Sequence, residues 1–190
     1  MTRIAAFLAA LTLAASAAAA DPLPLTPASP QPGGLSSGLS VTYAYPGSDI
    51  KSLADATAAL NAAPKAGKPL TGLDYSDTSP GQVTLTSDRV ENVAARITGY
   101  VKFDAAGSYD IEFLTNDGLD ARIGGQRVGH FDGRQACGST RVIEVSVPEP
   151  GWYPVDILYF QRLGTSCLHM KWGLLDGKRT WTPDEVFGRK

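Results

Sequence analysis

From Val93 onward the chain alternates apolar and polar side chains with a period of two. Val93, Ala95, Ile97, Gly99, Val101 and Phe103 alternate with Arg96, Thr98, Tyr100 and Lys102. After a turn at Ala105-Ala106-Gly107, Tyr109, Ile111 and Phe113 alternate with Asp110 and Glu112, and Leu119, Ala121 and Ile123 are opposed by Asp120 and Arg122. Ile143, Val145 and Val147 mark a further strand, Tyr153, Val155, Ile157 and Tyr159 the next, and Leu168, Met170 and Trp172 the last strong one. Side chains along a strand point alternately to its two faces, so each segment has one apolar face to bury. Gly124-Gly125 predicts a two-residue hairpin turn, because paired glycines accept the positive φ of a type I′ turn. Alternation over this many segments, spaced by Gly and Pro, predicts an all-β fold: an antiparallel two-sheet β-sandwich.

The N-terminal part reads differently. Residues 39–45 form a short strand candidate closed by Pro46 and Gly47. Ser48 or Asp49 stands where a helix cap is wanted, with Ile50, Leu53, Thr57 and Leu60 along one face and Pro64 and Gly67 beyond its end. That is the one short helix expected, near the start of the mature chain. Residues 21–34 carry five prolines among Leu, Ser, Thr and Gly, the composition of an extended or loosely attached arm. Residues 1–20 have the form of an export signal: Arg3, an uncharged Ala/Leu-rich run, and Ala18 and Ala20 at the A-x-A positions before Asp21. The expected organisation is a signal peptide at 1–20, a Pro/Gly/Ser-rich arm at 21–37 and one sandwich domain at 38–190. Such a chain is exported, to the periplasm or outside the cell.

Charge and cysteine content narrow the function classes. Seventeen basic residues face 19 acidic ones, for a net charge of −2, and no basic stripe appears, which argues against nucleic acid. After the signal no run is long and apolar enough to span a bilayer. In an exported chain the pair Cys137 and Cys167 most simply forms a disulfide. The metal alternative, these cysteines with His130 and His169, lacks C-x-x-C or H-x-x-x-H spacing and is set aside. Asp110, Glu112, Asp120, Glu144 and Asp156 fall on the polar phase of their strands, as solvated residues do. His130 is expected in a Gly-rich loop with Asp132, and His169 alternates with Lys171 on an outward face. No nucleophile–base pair, carboxylate pair or phosphate loop is discernible, so the expectation is a chain that is not an enzyme. The segment Thr115-Asn116-Asp117-Gly118 admits two readings, a tight turn or a hard-cation site that uses the Asp117 carboxylate and the Asn116 amide oxygen.

Six segments, in order, resemble the protective-antigen (PA14) domain family, the lectin-like module of bacterial toxins, glycosidase inserts and fungal flocculins. They are Gly38-Leu39-Ser40-Val41-Thr42-Tyr43, Ile97-Thr98-Gly99-Tyr100-Val101, Gly107-Ser108-Tyr109-Asp110-Ile111, Asn116-Asp117-Gly118 with Ile123-Gly124-Gly125 and Val128, Gly151-Trp152-Tyr153-Pro154-Val155, and Tyr159 with Leu168, Met170 and Trp172. The resemblance spans residues 38–187 and implies a β-sandwich that often recognises glycans. In the family's lectin-like members two consecutive aspartates joined by a cis peptide hold calcium, which in turn binds sugar hydroxyls. Here the matching pair is Asn116-Asp117, and a later Asn ligand falls on Gln161. One formal charge in place of two lowers the expected calcium affinity. The implied metal ligands are Asn116, Asp117 and Gln161, completed by carbonyls at 163–165. Asp132, Arg134 and Gln135 are the implied ligand-binding residues, pinned by Cys137–Cys167. The expected function is non-catalytic binding of a glycan or cell-envelope polysaccharide, possible calcium included. The alternative is a structural or protein–protein interaction module that has lost the site. Trp152, Tyr153 and Trp172 are expected in packing, and Trp181 is expected to hold the tail against the sandwich.

Overall fold

The alternating segments become the long strands of two facing sheets. In the computed structural model, which describes residues 21–190, the elements in chain order are β1 (Leu23–Pro24), β2 (Ser36–Ser37), β3 (Ser40–Ala44), α1 (Leu53–Ala62), β4 (Lys65–Ala66), β5 (Asp74–Tyr75), β6 (Val93–Phe103) and β7 (Gly107–Asn116). They continue with β8 (Gly118–Ile123), β9 (Gln126–Phe131), β10 (Gly138–Val147), β11 (Gly151–Gln161), β12 (Cys167–Leu174), β13 (Thr180–Trp181), a 3-10 turn (Asp184–Val186) and β14 (Phe187–Arg189). The signal peptide expected at 1–20 lies outside the described residues. One sheet has the order β1-β10-β7-β12-β13 with β5 also on β12; the other runs β2-β14-β6-β11-β8-β9, with β3 on β6 and β4 on β3. Among the described residues no helix is long and apolar enough to cross a membrane.

The period-two residues meet between the sheets. Ile97, Val101, Phe103, Ile111, Phe113, Leu119, Ile123, Tyr153, Ile157, Tyr159, Leu168 and Met170 all belong to one buried cluster. Burying each such side chain is worth roughly 1.5–3 kcal/mol against leaving it in water. A smaller cluster lies under the helix, where Ile50, Leu53 and Ala56 cover Ala94 and Phe160 on the outer face of β6 and β11. The two strands are thus buried on both faces at that end, which is why Val93, Ala94 and Ala95 are buried in succession. Gly124 and Gly125, at φ of 54° and 81°, make the predicted hairpin between β8 and β9.

Four expectations are corrected. The helix is capped by Ser52, not by Ser48 or Asp49: the Ser52 side chain accepts the Asp55 N–H at 3.1 Å. The arm is not loose. Leu23 and Pro24 lie parallel to β10, the one parallel pair in an otherwise antiparallel set of named pairs. Leu25 is buried in the core, and the Leu25, Thr26 and Ala28 N–H groups donate to Ser146, Gly124 and Trp152 carbonyls. His169 does not face outward: it is buried, 3.0 Å from Asp74 Oδ1 and stacked on Trp181. The tight turn read at Thr115–Gly118 is instead a crossing between sheets, because β7 and β8 belong to different ones. Of the aromatics, Tyr153 and Trp172 pack around Phe103, while Trp181 stays 45% exposed on the rim, under the Lys171 ammonium.

Candidate functional site

β7 ends at Asn116 and β8 begins at Gly118, so Asp117 alone carries the chain from one sheet to the other. The Asn116–Asp117 peptide is cis. Two neighbours on β11 hold this crossing: the Tyr159 hydroxyl donates to the Asn116 carbonyl at 2.6 Å, and the Asp117 N–H donates to the Phe160 carbonyl at 3.0 Å. Gly118 completes it because nothing larger fits, a Cβ there falling 2.1 Å from the Phe160 ring.

The side chains of the crossing gather two loops. Asp117 is only 5% exposed; its Oδ1 accepts the Gln135 N–H at 3.1 Å and its Oδ2 the Arg162 N–H at 2.7 Å. The Asn116 amide donates to Thr165 Oγ1 at 3.2 Å. Gln135 ties its own loop down by donating to the Thr115 and Gly138 carbonyls. The Cys137–Cys167 disulfide, with Cα atoms 5.8 Å apart, fastens the same loop to the first residue of β12. Burial pushes the Asp117 carboxyl up; the N–H bonds from Arg162 and Gln135 and the charges of Arg134 and Arg162 oppose this without cancelling it.

Above these groups opens a cleft of about 330 Å³, walled by the crossing, Arg134 and Gln135 on one side and Arg162 and Leu163 on the other. Arg162 is engaged by Asp49, 3.1 Å from its Nε. Arg134 is exposed and has no carboxylate partner among the described residues. Leu163 stands 47% exposed at the rim.

The family model for the PA14 domain matches residues 37–185. The chain belongs to the PA14 domain family. Its fold is similar to the PA14 domain of the MpAFP antifreeze protein, at 18% identity over 83% of this chain and 93% of that one, with a TM-score of 0.70. The PA14 sugar-binding domain from an RTX adhesin is 20% identical, with 81% and 99% covered and a TM-score of 0.63. The epithelial adhesin 9 A domain of Candida glabrata, solved in complex with Galβ1-4GlcNAc, is 16% identical, with 88% and 94% covered and a TM-score of 0.65. No curated protein sequence matches.

Four of the six residues expected from the PA14 resemblance, Asn116, Asp117, Arg134 and Gln135, line this cleft. Two do not. Gln161 is fully buried, its amide donating to the Thr165 carbonyl and its oxygen accepting from Thr84 Oγ1. Strand parity explains it, since Gln161 continues the inward series Val155, Ile157, Tyr159 of β11. Asp132 accepts the Leu53 N–H at 2.8 Å, capping the first turn of α1, where a negative charge also complements the helix dipole. Arg162 was not anticipated. Parity puts it on the outer face with Phe160, where it meets Asp49, and no motif in the sequence marks it as part of the cleft.

The donors fit the calcium ion implied by PA14 membership poorly. Calcium takes six to eight oxygens, and its affinity follows the negative charge they bring. Here the cleft offers one carboxylate whose two oxygens already accept N–H bonds and the carboxamides of Asn116 and Gln135, with two guanidinium groups in the lining. Among the described residues no group of three or more His, Cys, Asp or Glu side chains is placed to hold a metal.

Proposed function

We propose that this PA14 domain is an exported, non-catalytic module that binds carbohydrate in the cleft over Asn116-Asp117. The observation that carries the reading is the cleft itself: a 330 Å³ hollow in which carboxylate, carboxamide and guanidinium groups converge beside an exposed Leu163. Ring hydroxyls need both donors and acceptors, and a sugar's C–H face needs an apolar contact. Similar folds solved as a sugar-binding domain and in complex with a galactoside lend support. The export signal read at 1–20 makes a cell-envelope or extracellular glycan the natural partner.

A glycan array probed with the mature chain, with and without chelator, tests the reading. Retention on one family of glycans, lost with Arg134→Ala, is expected. An array with no signal in either buffer sinks it. Calorimetry against calcium belongs beside the array: saturable binding that vanishes with Asp117→Asn would overturn the poor-fit conclusion and restore a cation to the cleft.

The second reading, a structural or protein-interaction module, has one observation in its favour. Both Asp117 oxygens are occupied in joining the 132–137 and 162–165 loops, which is a sufficient structural task for that residue. A module that binds no sugar yet co-purifies stoichiometrically with one envelope protein is its expected signature.

A further inference from the structure

A second cleft opens on the strand–loop–strand unit that also contributes to the first. It has a volume of about 180 Å³ and is lined by Arg127, Gly129, His130, Thr140, Arg141 and Ile143. It lies between two strand edges. β9 is the last strand of its sheet, and β10 meets β1 only at Val145 and Ser146, so the N-terminal half of β10 has no named partner on that side. The two clefts share one β9–loop–β10 unit. Ala136 lines the first and Thr140 the second. Four residues of even fully extended chain separate them by no more than about 14 Å.

Each cleft carries a guanidinium with no carboxylate partner among the described residues. Arg127 is held in a two-point pair by Asp120, its Nε 3.0 Å from Oδ1 and its Nη2 2.9 Å from Oδ2. Asp120 also faces Arg122 at 3.7 Å, so these three groups together keep one positive charge. Arg141 adds another, and no carboxylate among the described residues pairs with it. Its backbone is unusual: Arg141 has φ of 135°, a region that favours glycine, at the bulge where β10 loses register between Ser139 and Val142. Bulges re-aim side chains, and here a bulge in the half of β10 that β1 does not cover brings Arg141 into the lining of a cleft. In the first cleft Arg134 is likewise without a carboxylate partner, whereas Arg162 is engaged by Asp49.

We propose that the two clefts form one track for a linear acidic polysaccharide, with a uronate carboxylate taken by Arg134 and another by Arg141, without a metal ion. This rests on the carbohydrate reading above and names its ligand class. Guanidinium and carboxylate meet in two parallel hydrogen bonds, which fixes orientation as well as charge. The hydroxyls between the carboxylates find the Asn116 amide and the Asp117 carboxylate in the first cleft and the Thr140 hydroxyl in the second. A ligand with repeating negative charge and many hydroxyls is the class that satisfies both clefts at once, and a neutral oligosaccharide leaves Arg134 and Arg141 unanswered.

The test uses the mature chain in excess chelator, with oligogalacturonides and their fully methyl-esterified, neutral counterparts as probes in calorimetry. The acid form is expected to bind, and the ester to bind at least tenfold more weakly. Arg134→Gln and Arg141→Gly should each lower affinity for the acid form by roughly tenfold, the loss of one charge-assisted contact. Arg141→Gly also separates binding from folding, because glycine accepts the positive φ and the thermal midpoint should not fall. Equal binding of acid and ester, or unchanged affinity in both variants, overturns the acidic ligand and leaves carbohydrate binding standing. Binding confined to neutral array glycans does the same. Silence toward both probes and the array overturns the two proposals together.

Discussion

The Tyr159 hydroxyl is the clearest single-atom support of the site, since it is wholly buried and donates to the Asn116 carbonyl at 2.6 Å. Its pKa is pushed well up by burial, reinforced by the nearby Asp117 charge, so it remains a donor. Tyr159→Phe removes that donor without changing the ring and should cost about 1–2 kcal/mol in urea unfolding. Asp117 gives a pH signature. Its carboxyl is raised in the folded chain, so between the unfolded and folded pKa values the native state binds more protons than the unfolded one. Stability contributed by this group therefore falls as pH rises through that interval and recovers as pH falls, the reverse of a salt-bridged Asp. Carboxyl NMR titration should find Asp117 protonating above the ordinary aspartate range; a value below it would contradict the burial argument. At this scale the sequence was only partly legible. Asn116-Asp117-Gly118 was visible as a motif, and strand parity alone would have removed Gln161 from the cleft. The capture of Asp132 by the helix was not legible, because it joins Leu53 to a residue 79 positions away.

At the scale of elements, the same periodicity that predicted the strands was silent about the first fifteen residues of the described chain. A Pro-rich segment has few N–H groups and no alternation, so it reads as a linker. Here three of its donors, the N–H groups of Leu25, Thr26 and Ala28, are taken by the Ser146, Gly124 and Trp152 carbonyls, and Gln31 accepts the Trp152 N–H at 2.7 Å. Leu25 is 2% exposed in the main core. Leu25→Ala should therefore cost about 2–5 kcal/mol, as for any buried leucine, and not the near-zero expected of a loose arm. Equilibrium unfolding of that variant decides between the two. The helix makes a complementary case: its apolar face was legible, but its start was set by Ser52, whose side chain holds the Asp55 N–H. Ser52→Ala should cost about 1 kcal/mol, whereas Ser48→Ala should change little.

For the whole molecule, the two sheets are joined at the cleft end by three devices that act on the same loop: the Asp117 carboxylate, the Gln135 amide and the disulfide. The disulfide closes a span of 30 residues that contains the whole of β10 and β11, so by chain entropy it should stabilise the fold by roughly 3–4 kcal/mol. Most of that benefit comes from restricting the unfolded chain, so a Cys137→Ser, Cys167→Ser double variant should still fold, with a lower urea midpoint. The core does not depend on the bond, as its inward residues lie on strands paired along their length. The cleft does depend on it, because Arg134 sits three residues before Cys137 on a loop otherwise held only by the hydrogen bonds of Asp132 and Gln135. Affinity for the glycan should consequently fall in the double variant at temperatures where the protein remains folded. Unchanged affinity at such a temperature would show that the Asp132 and Gln135 hydrogen bonds position Arg134 without the disulfide, and would confine the disulfide's role to stability.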